Sequence, residues 1–196
     1  MTTRSEKVQA TRQKLIQVTD ELINQRGFEN ISVADITQAC GIAKGTFYNY
    51  FSKKEAIFAE ISQAHFSQLD ALITDIPADQ TATQTLSHYL IEFMTIITTA
   101  GVTRARDWIR FVVIPSPAPN KWDFDAAKLR TLLKQLIAKK QLAETTPVEQ
   151  LADFLVTYLY GLVFGWGMSD QVEPQSAIVT FCQLILPVIL QPYLLA

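Results

Sequence analysis

Cysteine, histidine and glycine are all scarce in this chain of 196 residues. Its two cysteines, Cys40 and Cys182, lie far apart, which excludes a zinc motif and a disulfide framework. They fit two reduced, buried thiols in a cytoplasmic protein. The two histidines, His65 and His88, are isolated from each other, so no metal-ligand cluster is expected. The seven glycines form no phosphate-binding loop, and no serine sits in a nucleophile elbow. Neither an enzyme nor a cofactor is therefore expected. Long strand-like alternation is also absent, which favours an all-α chain. The opening stretch MTTRSEKVQATR has no apolar core, so a secretory signal is not expected.

Charge is missing from two late stretches. Residues 154–169 and 174–196 carry no Asp, Glu, Lys or Arg. The second is long enough to span a bilayer, but it contains Gln175, Gln183, Gln191, Pro187 and Pro192 and has no basic flank. A helix buried on several sides in an oligomer explains the same composition, and no membrane partner is expected. The net charge of −2 is unevenly spread. Residues 1–54 hold eight Lys/Arg against five Asp/Glu, whereas the remainder holds nine against fourteen. A cationic end on an acidic body fits contact with nucleic acid through one face.

Within the cationic end, Ser32 to Phe51 reads as a helix, a tight turn and a second short helix. Ser32 and Asp35 have the spacing of an N-cap and its reciprocal partner. Val33, Ile36 and Cys40 fall on one face, and Gly41 suits a left-handed turn. Phe47 and Phe51 share the inward face of the second helix. Thr46, Asn49 and Tyr50 fall on another face, with Lys44 and Tyr48 beside them. Hydroxyl, amide and aromatic groups with a cation suit phosphates and base edges.

The run TRQKLIQVTDELINQRGFENISVADITQACGIAKGTFYNYFSKKEAIFAEI, from Thr11 to Ile61, resembles the DNA-binding domain of the TetR/AcrR family of bacterial transcriptional regulators. Arg26-Gly27-Phe28, Cys40-Gly41-Ile42, Lys44-Gly45-Thr46-Phe47-Tyr48 and Tyr50-Phe51-x-x-Lys54-Glu55 occur in order at matching spacing. The resemblance covers about a quarter of the chain. It implies DNA contacts by Thr46, Tyr48, Tyr50 and Lys54, with Tyr48 and Lys54 on phosphates. Lys44, Gly45, Thr46 and Asn49 are placed for base edges or close backbone approach, and Ser32 for a phosphate. Ser32 stands where Thr is common, Thr37 where Ala is common and Tyr50 where His is common, which leaves the operator sequence open.

The expected architecture is an N-terminal three-helix helix-turn-helix DNA-binding domain over 1–52, joined to a larger helical ligand-binding and dimerisation domain over 53–196. The first helix is expected over Thr11–Gln25, where Leu15, Val18 and Leu22 lie on one stripe with Ile16, Thr19 and Ile23. A capping box at Ser52 and Glu55 predicts a helix from Lys53 to about Leu72. Further helices follow over Leu86–Ile97, Trp108–Val112 and Ala126–Lys140, with a loop at Pro115, Pro117 and Pro119. Thr146-Pro147-Val148-Glu149 predicts a second capping box, and Pro187 a kink in the last helix. Phe93, Ile97, Trp108, Phe111, Trp122, Phe124, Tyr158, Leu162 and Trp166 are, as a set, candidate walls for a largely apolar small-molecule effector, although each taken singly fits plain core packing better. Arg106 and Arg110 suit either an anionic ligand group or a surface salt bridge.

These features together predict a homodimeric repressor that binds a palindromic double-stranded operator and is released by an effector. Two alternatives stand beside it. One is a dimeric helical interaction protein that binds DNA without ligand control; the other is a membrane-associated helical protein.

Overall fold

The structure, a computed structural model, describes residues 4–113 and 121–195. The chain divides into two compact units, residues 1–65 and 66–196. Among the described residues it forms eleven α-helices.

The first unit contains α1 (Arg4–Arg26), α2 (Val33–Cys40), α3 (Lys44–Tyr48) and α4 (Lys54–His65). Helix α1 starts at Arg4 rather than near Thr11, and it buries Leu15, Thr19, Leu22 and Ile23. Gly27 stops it with φ of 78°, a conformation that only glycine adopts without cost. Helix α1 packs on α2 and α4, and α2 packs on α3. Ile36, Cys40, Phe47, Phe51, Ile57, Phe58 and Ile61 complete this core. Helix α4, expected in the second domain, thus lies in the first unit.

The single helix predicted from Lys53 to Leu72 is two, α4 and α5 (Gln68–Thr74), broken at Phe66 and Ser67. The break follows from divided burial. Ile57, Phe58 and Ile61 fill the first unit's core, whereas Phe66 packs against Phe93 in the second, ring centroids 4.9 Å apart. A continuous 3.6-residue period does not serve two cores at once.

The second unit adds α6 (Ala82–Ala100), α7 (Val102–Val112), α8 (Lys121–Ala138), α9 (Val148–Met168), α10 (Pro174–Leu184) and α11 (Leu186–Leu190). Helix α9 lies against α7 and α8, while α6 lies against α10 and α5. Leu86, Leu90 and Met94 of α6, Leu132 and Leu133 of α8, and Leu155 and Leu159 of α9 are fully enclosed. The predicted proline loop at Pro115, Pro117 and Pro119 lies outside the described residues. The kink is present: Pro187 opens α11, and the helix pair bends by 41°. Proline lacks the N–H that would continue the helical ladder.

Helix caps correct the sequence expectation twice. Thr146 does not cap α9; its hydroxyl donates to the Ala143 carbonyl at 2.6 Å, and Pro147 occupies the N-cap position without a side-chain bond. A cap at Thr81 went unpredicted. The Gln84 N–H donates to Thr81 Oγ1 at 3.2 Å, and the Thr81 N–H donates to Gln84 Oε1 at 2.9 Å. The local pattern is the same at both places, but Pro147 shifts the second helix start by a residue. Thr81→Ala should therefore cost about 1 kcal/mol in urea unfolding. Glu149→Ala, which removes no reciprocal bond, should stay within about 0.5 kcal/mol of the parent.

Candidate DNA-binding surface

The short helix α3 is set by what lies beneath it. Phe47 is fully buried and Phe51 nearly so, with ring centroids 5.6 Å apart. With these two rings inward, Lys44, Gly45, Tyr48 and Asn49 are exposed, and Thr46 and Tyr50 are half-buried. Tyr48 meets Phe47 edge-on at 5.5 Å, which orients its phenol without enclosing it. The turn before α3 closes on Gly41, at φ 66° and ψ 37°, whose N–H returns to α2 carbonyls. Gly45 differs: a Cβ built there meets nothing within 4 Å, so the unit's own packing does not require glycine at that position.

Ser32 caps α2 as its spacing predicts. The Asp35 N–H donates to Ser32 Oγ at 3.2 Å, and the Ser32 N–H donates to Asp35 Oδ2 at 2.7 Å. The Ser32 hydroxyl, its backbone N–H and, more distantly, Arg26 hold the Asp35 carboxyl below the usual carboxylate range, against a smaller opposing effect of burial. The sign follows directly. The cap's ionic contribution is complete above the ordinary carboxylate pKa and is lost as pH falls through the lower folded value. Thr37, the other departure from the family pattern, is buried and donates to the Ala34 carbonyl at 3.1 Å, so its hydroxyl is satisfied inside α2.

Three cations of this unit donate to its own backbone carbonyls. Lys54 Nζ donates to the Phe28 and Ile31 carbonyls, both at 2.9 Å, and sits 4.2 Å from the Phe28 ring centroid. It thereby fixes the loop that delivers Ser32. Arg12 pairs with Glu60, donates to the Tyr50 carbonyl at 3.3 Å and lies over the Phe51 ring. Lys14 donates to the Cys40 carbonyl at 3.0 Å, at the exit of α2. Sequence reasoning missed these positioning roles, because each contact joins residues at least 23 apart. Lysine at position 54 carries no local signal for two distant carbonyls.

The nine candidate effector residues all lie in the second unit, with Phe124 exposed. Phe93, Ile97 and Trp108 are buried in its core; Trp122, Tyr158, Leu162 and Trp166 pack against that core; Phe111 is half-buried. They do not form one wall. Tyr158 stacks on Phe181 at 4.2 Å, whereas Trp108 meets Tyr160 edge-on at 4.7 Å. A groove of about 350 Å³ lies between α5 and α8, lined by residues including Asp70, Ile73 and Lys128; of the nine candidates Phe124 alone lines it. Arg106 donates to the Gly167 carbonyl at 2.9 Å, and Arg110 lies 4.0 Å from Asp107.

Removing Lys54 takes one donor from each of the Phe28 and Ile31 carbonyls. Lys54→Ala should destabilise the first unit by about 1–3 kcal/mol, measured by urea unfolding. A midpoint equal to the parent's would show that the clamp is not needed.

Comparison with known proteins places this geometry. Residues 15–61 match the family model described as bacterial regulatory proteins, tetR family. The chain is 37% identical over 68 residues to the HTH-type transcriptional repressor DhaR of Mycobacterium sp. (strain GP1), covering 35% of this chain and 34% of DhaR. The chain thus matches about a third of the length of that relative. It is 24% identical over 179 residues to the HTH-type transcriptional regulator AcrR of Shigella flexneri, covering 85% and 82% of the two chains. A TetR-family transcriptional regulator from Pectobacterium atrosepticum shares the fold over 100% of this chain and 99% of its own, with a TM-score of 0.70 and 19% identity. Residues 15–61 thus carry a helix-turn-helix of the TetR family, and the chain as a whole shares the fold of a TetR-family transcriptional regulator.

Proposed function

We propose that this regulator is a repressor that binds a palindromic operator as a homodimer and is released when a small molecule binds its second unit. The exposed polar side of α3, held outward by Phe47 and Phe51, carries this reading. DhaR, 37% identical over 68 residues, is named a repressor. In the proposal Lys44, Thr46, Asn49 and Tyr50 reach base edges or adjacent backbone, Ser32 and Tyr48 hold phosphates, and Gly45 lets the DNA backbone approach closely. Lys54 adds its remaining N–H to a phosphate after clamping the loop.

Dimerisation is supported by apolar surface left uncovered on the late helices. Phe154, Phe164 and Met168 of α9 are exposed, as are Leu184, Ile185 and Val188 at the α10–α11 bend. A patch of this kind on one chain marks an interface. Helix α9 is also long and apolar enough to cross a bilayer. Its Asp153 pairs with Arg130 at 2.6 Å, and one side of α9 fills a protein core, which favours a second copy over lipid. A twofold dimer presents two recognition helices to two half-sites. Effector binding shifts the population toward an arrangement that misaligns them.

Two measurements test these assignments. Sequencing DNA fragments selected by the purified protein should return a palindrome. Asn49→Ala should relax one position per half-site at a cost of about 1–3 kcal/mol, and Gly45→Ala should weaken binding while leaving thermal stability equal or higher. An unchanged consensus and affinity would refute both roles. Val188→Glu should convert the dimer to a folded monomer in sedimentation equilibrium and abolish tight operator binding. A variant that remains dimeric would place the interface elsewhere.

A further inference from the structure

The boundary between the two units falls between His65 and Phe66, and each of these neighbours is tied to its own unit. His65 ends α4, and its Nε2 lies 2.9 Å from Asp20 Oδ2 of α1. Phe66 opens the second unit. It is buried, with its ring centroid 4.9 Å from that of Phe93 on α6. Two lysines of α8 complete its surroundings. Lys121 Nζ lies 4.0 Å from the Phe66 ring centroid. Lys128 Nζ donates to the Phe66 carbonyl at 3.3 Å, pairs with Asp70 of α5 at 2.5 Å and lies 4.9 Å from the Phe124 ring centroid. Seven residues apart, the two lysines share one face of α8.

The two ammonium groups are enclosed, with side-chain exposures of 6% for Lys121 and 11% for Lys128. An enclosed charge is costly unless it is paired and hydrogen-bonded. Lys121 is matched inside α8 by Asp125, whose other oxygen accepts the Tyr160 hydroxyl at 2.9 Å. Lys128 is matched outside its own helix, by the break residue and by the first turn of α5. The Phe66 carbonyl that it reaches also accepts the Leu69 N–H at 3.2 Å, at the start of α5. Helix α5 has seven residues, too few to persist on its own hydrogen bonds. A buried ring fixes where Phe66 sits. The carbonyl and the carboxylate held by Lys128 fix the direction in which the chain passes from the break into α5.

We propose that residues 65–67 form a pinned joint and that Lys128 is a positioning residue for operator binding, because it keeps this joint stiff. A stiff joint makes each first unit follow its second unit. In a dimer held through the second units, the two recognition helices then keep one separation. Without Lys128 each first unit retains its fold and its hold on a half-site, but the other half-site loses its high effective concentration. The joint stands on the contacts within each unit; its consequence for DNA rests on the homodimeric operator reading above. Lys121 supports the same residue but is the poorer point to test, since removing it leaves Asp125 buried without its cation.

Hydrogen exchange on the full chain reads the joint. Lys128→Met keeps most of the apolar stem and removes the charge; it should speed exchange of the Leu69 and Asp70 amides at least ~10-fold and leave the amides of α9 unchanged. Asp70→Asn removes the same ion pair from its exposed side, 58% accessible, where substitution leaves the fold intact, and should speed the same two amides. Fluorescence anisotropy then compares the selected palindrome with a duplex carrying one half of it. Both variants should bind the palindrome ~10-fold more weakly than the parent and the single half-site equally well. Parent-like exchange of those amides in both variants overturns the joint. Unchanged palindrome affinity overturns the positioning role. So does an equal loss on both duplexes, which places the defect in the fold of the first unit. A parent that binds the palindrome no more tightly than the half-site overturns the dimeric operator reading, and exchange alone then decides the joint.

Discussion

The burial of Phe47 and Phe51 is the constraint on which the exposed polar face of α3 depends. Helix α3 has five residues, far too few to persist on hydrogen bonds alone. Its N-cap, Ala43, offers no side-chain bond. What holds the helix is the pair of rings pressed into the core of the first unit, and the outward direction of Lys44, Tyr48 and Asn49 is a geometric consequence. The recognition surface is therefore as rigid as the core beneath it. Gly41 contributes the turn, and the Ser32–Asp35 box fixes the start of the preceding helix.

Charge plays two parts in this unit. The surplus of Lys and Arg over residues 1–54 reads as attraction for a polyanion. Yet Arg12, Lys14 and Lys54 each hold a backbone carbonyl of the unit itself. They satisfy acceptors at the ends of α2 and at the exit of α3, where helix and loop carbonyls would otherwise lack donors. Counting cations therefore overstates how many are free of contacts within the unit.

The second unit uses apolar residues in two directions. Inward, α6, α8 and α9 close a core that also encloses the Lys121–Asp125–Tyr160 network. Outward, α9 and the bent α10–α11 pair leave Phe154, Phe164, Leu184 and Val188 exposed. One helix, α9, fills a core on one side and leaves apolar residues uncovered on the other, which explains why its sequence is apolar nearly all round.

Much of this was legible in the sequence where the deciding interactions are local. Ser32 with Asp35, the turn at Gly41, the inward Phe47 and Phe51 and the kink at Pro187 all depend on neighbours within one or two turns of chain. So does the all-α class, since helical periodicity is a short-range signal. Tertiary structure alone decided the rest. It broke the predicted helix at Phe66, because that ring belongs to a different core from Phe58. It turned Thr146 away from α9 and gave a cap to Thr81 instead. It also drew Lys54 to the Phe28 and Ile31 carbonyls and gathered Trp108, Asp125 and Tyr160 from three helices. Spacing along the chain reports which residues share a face; it carries no record of which distant face, carbonyl or charge that face will meet.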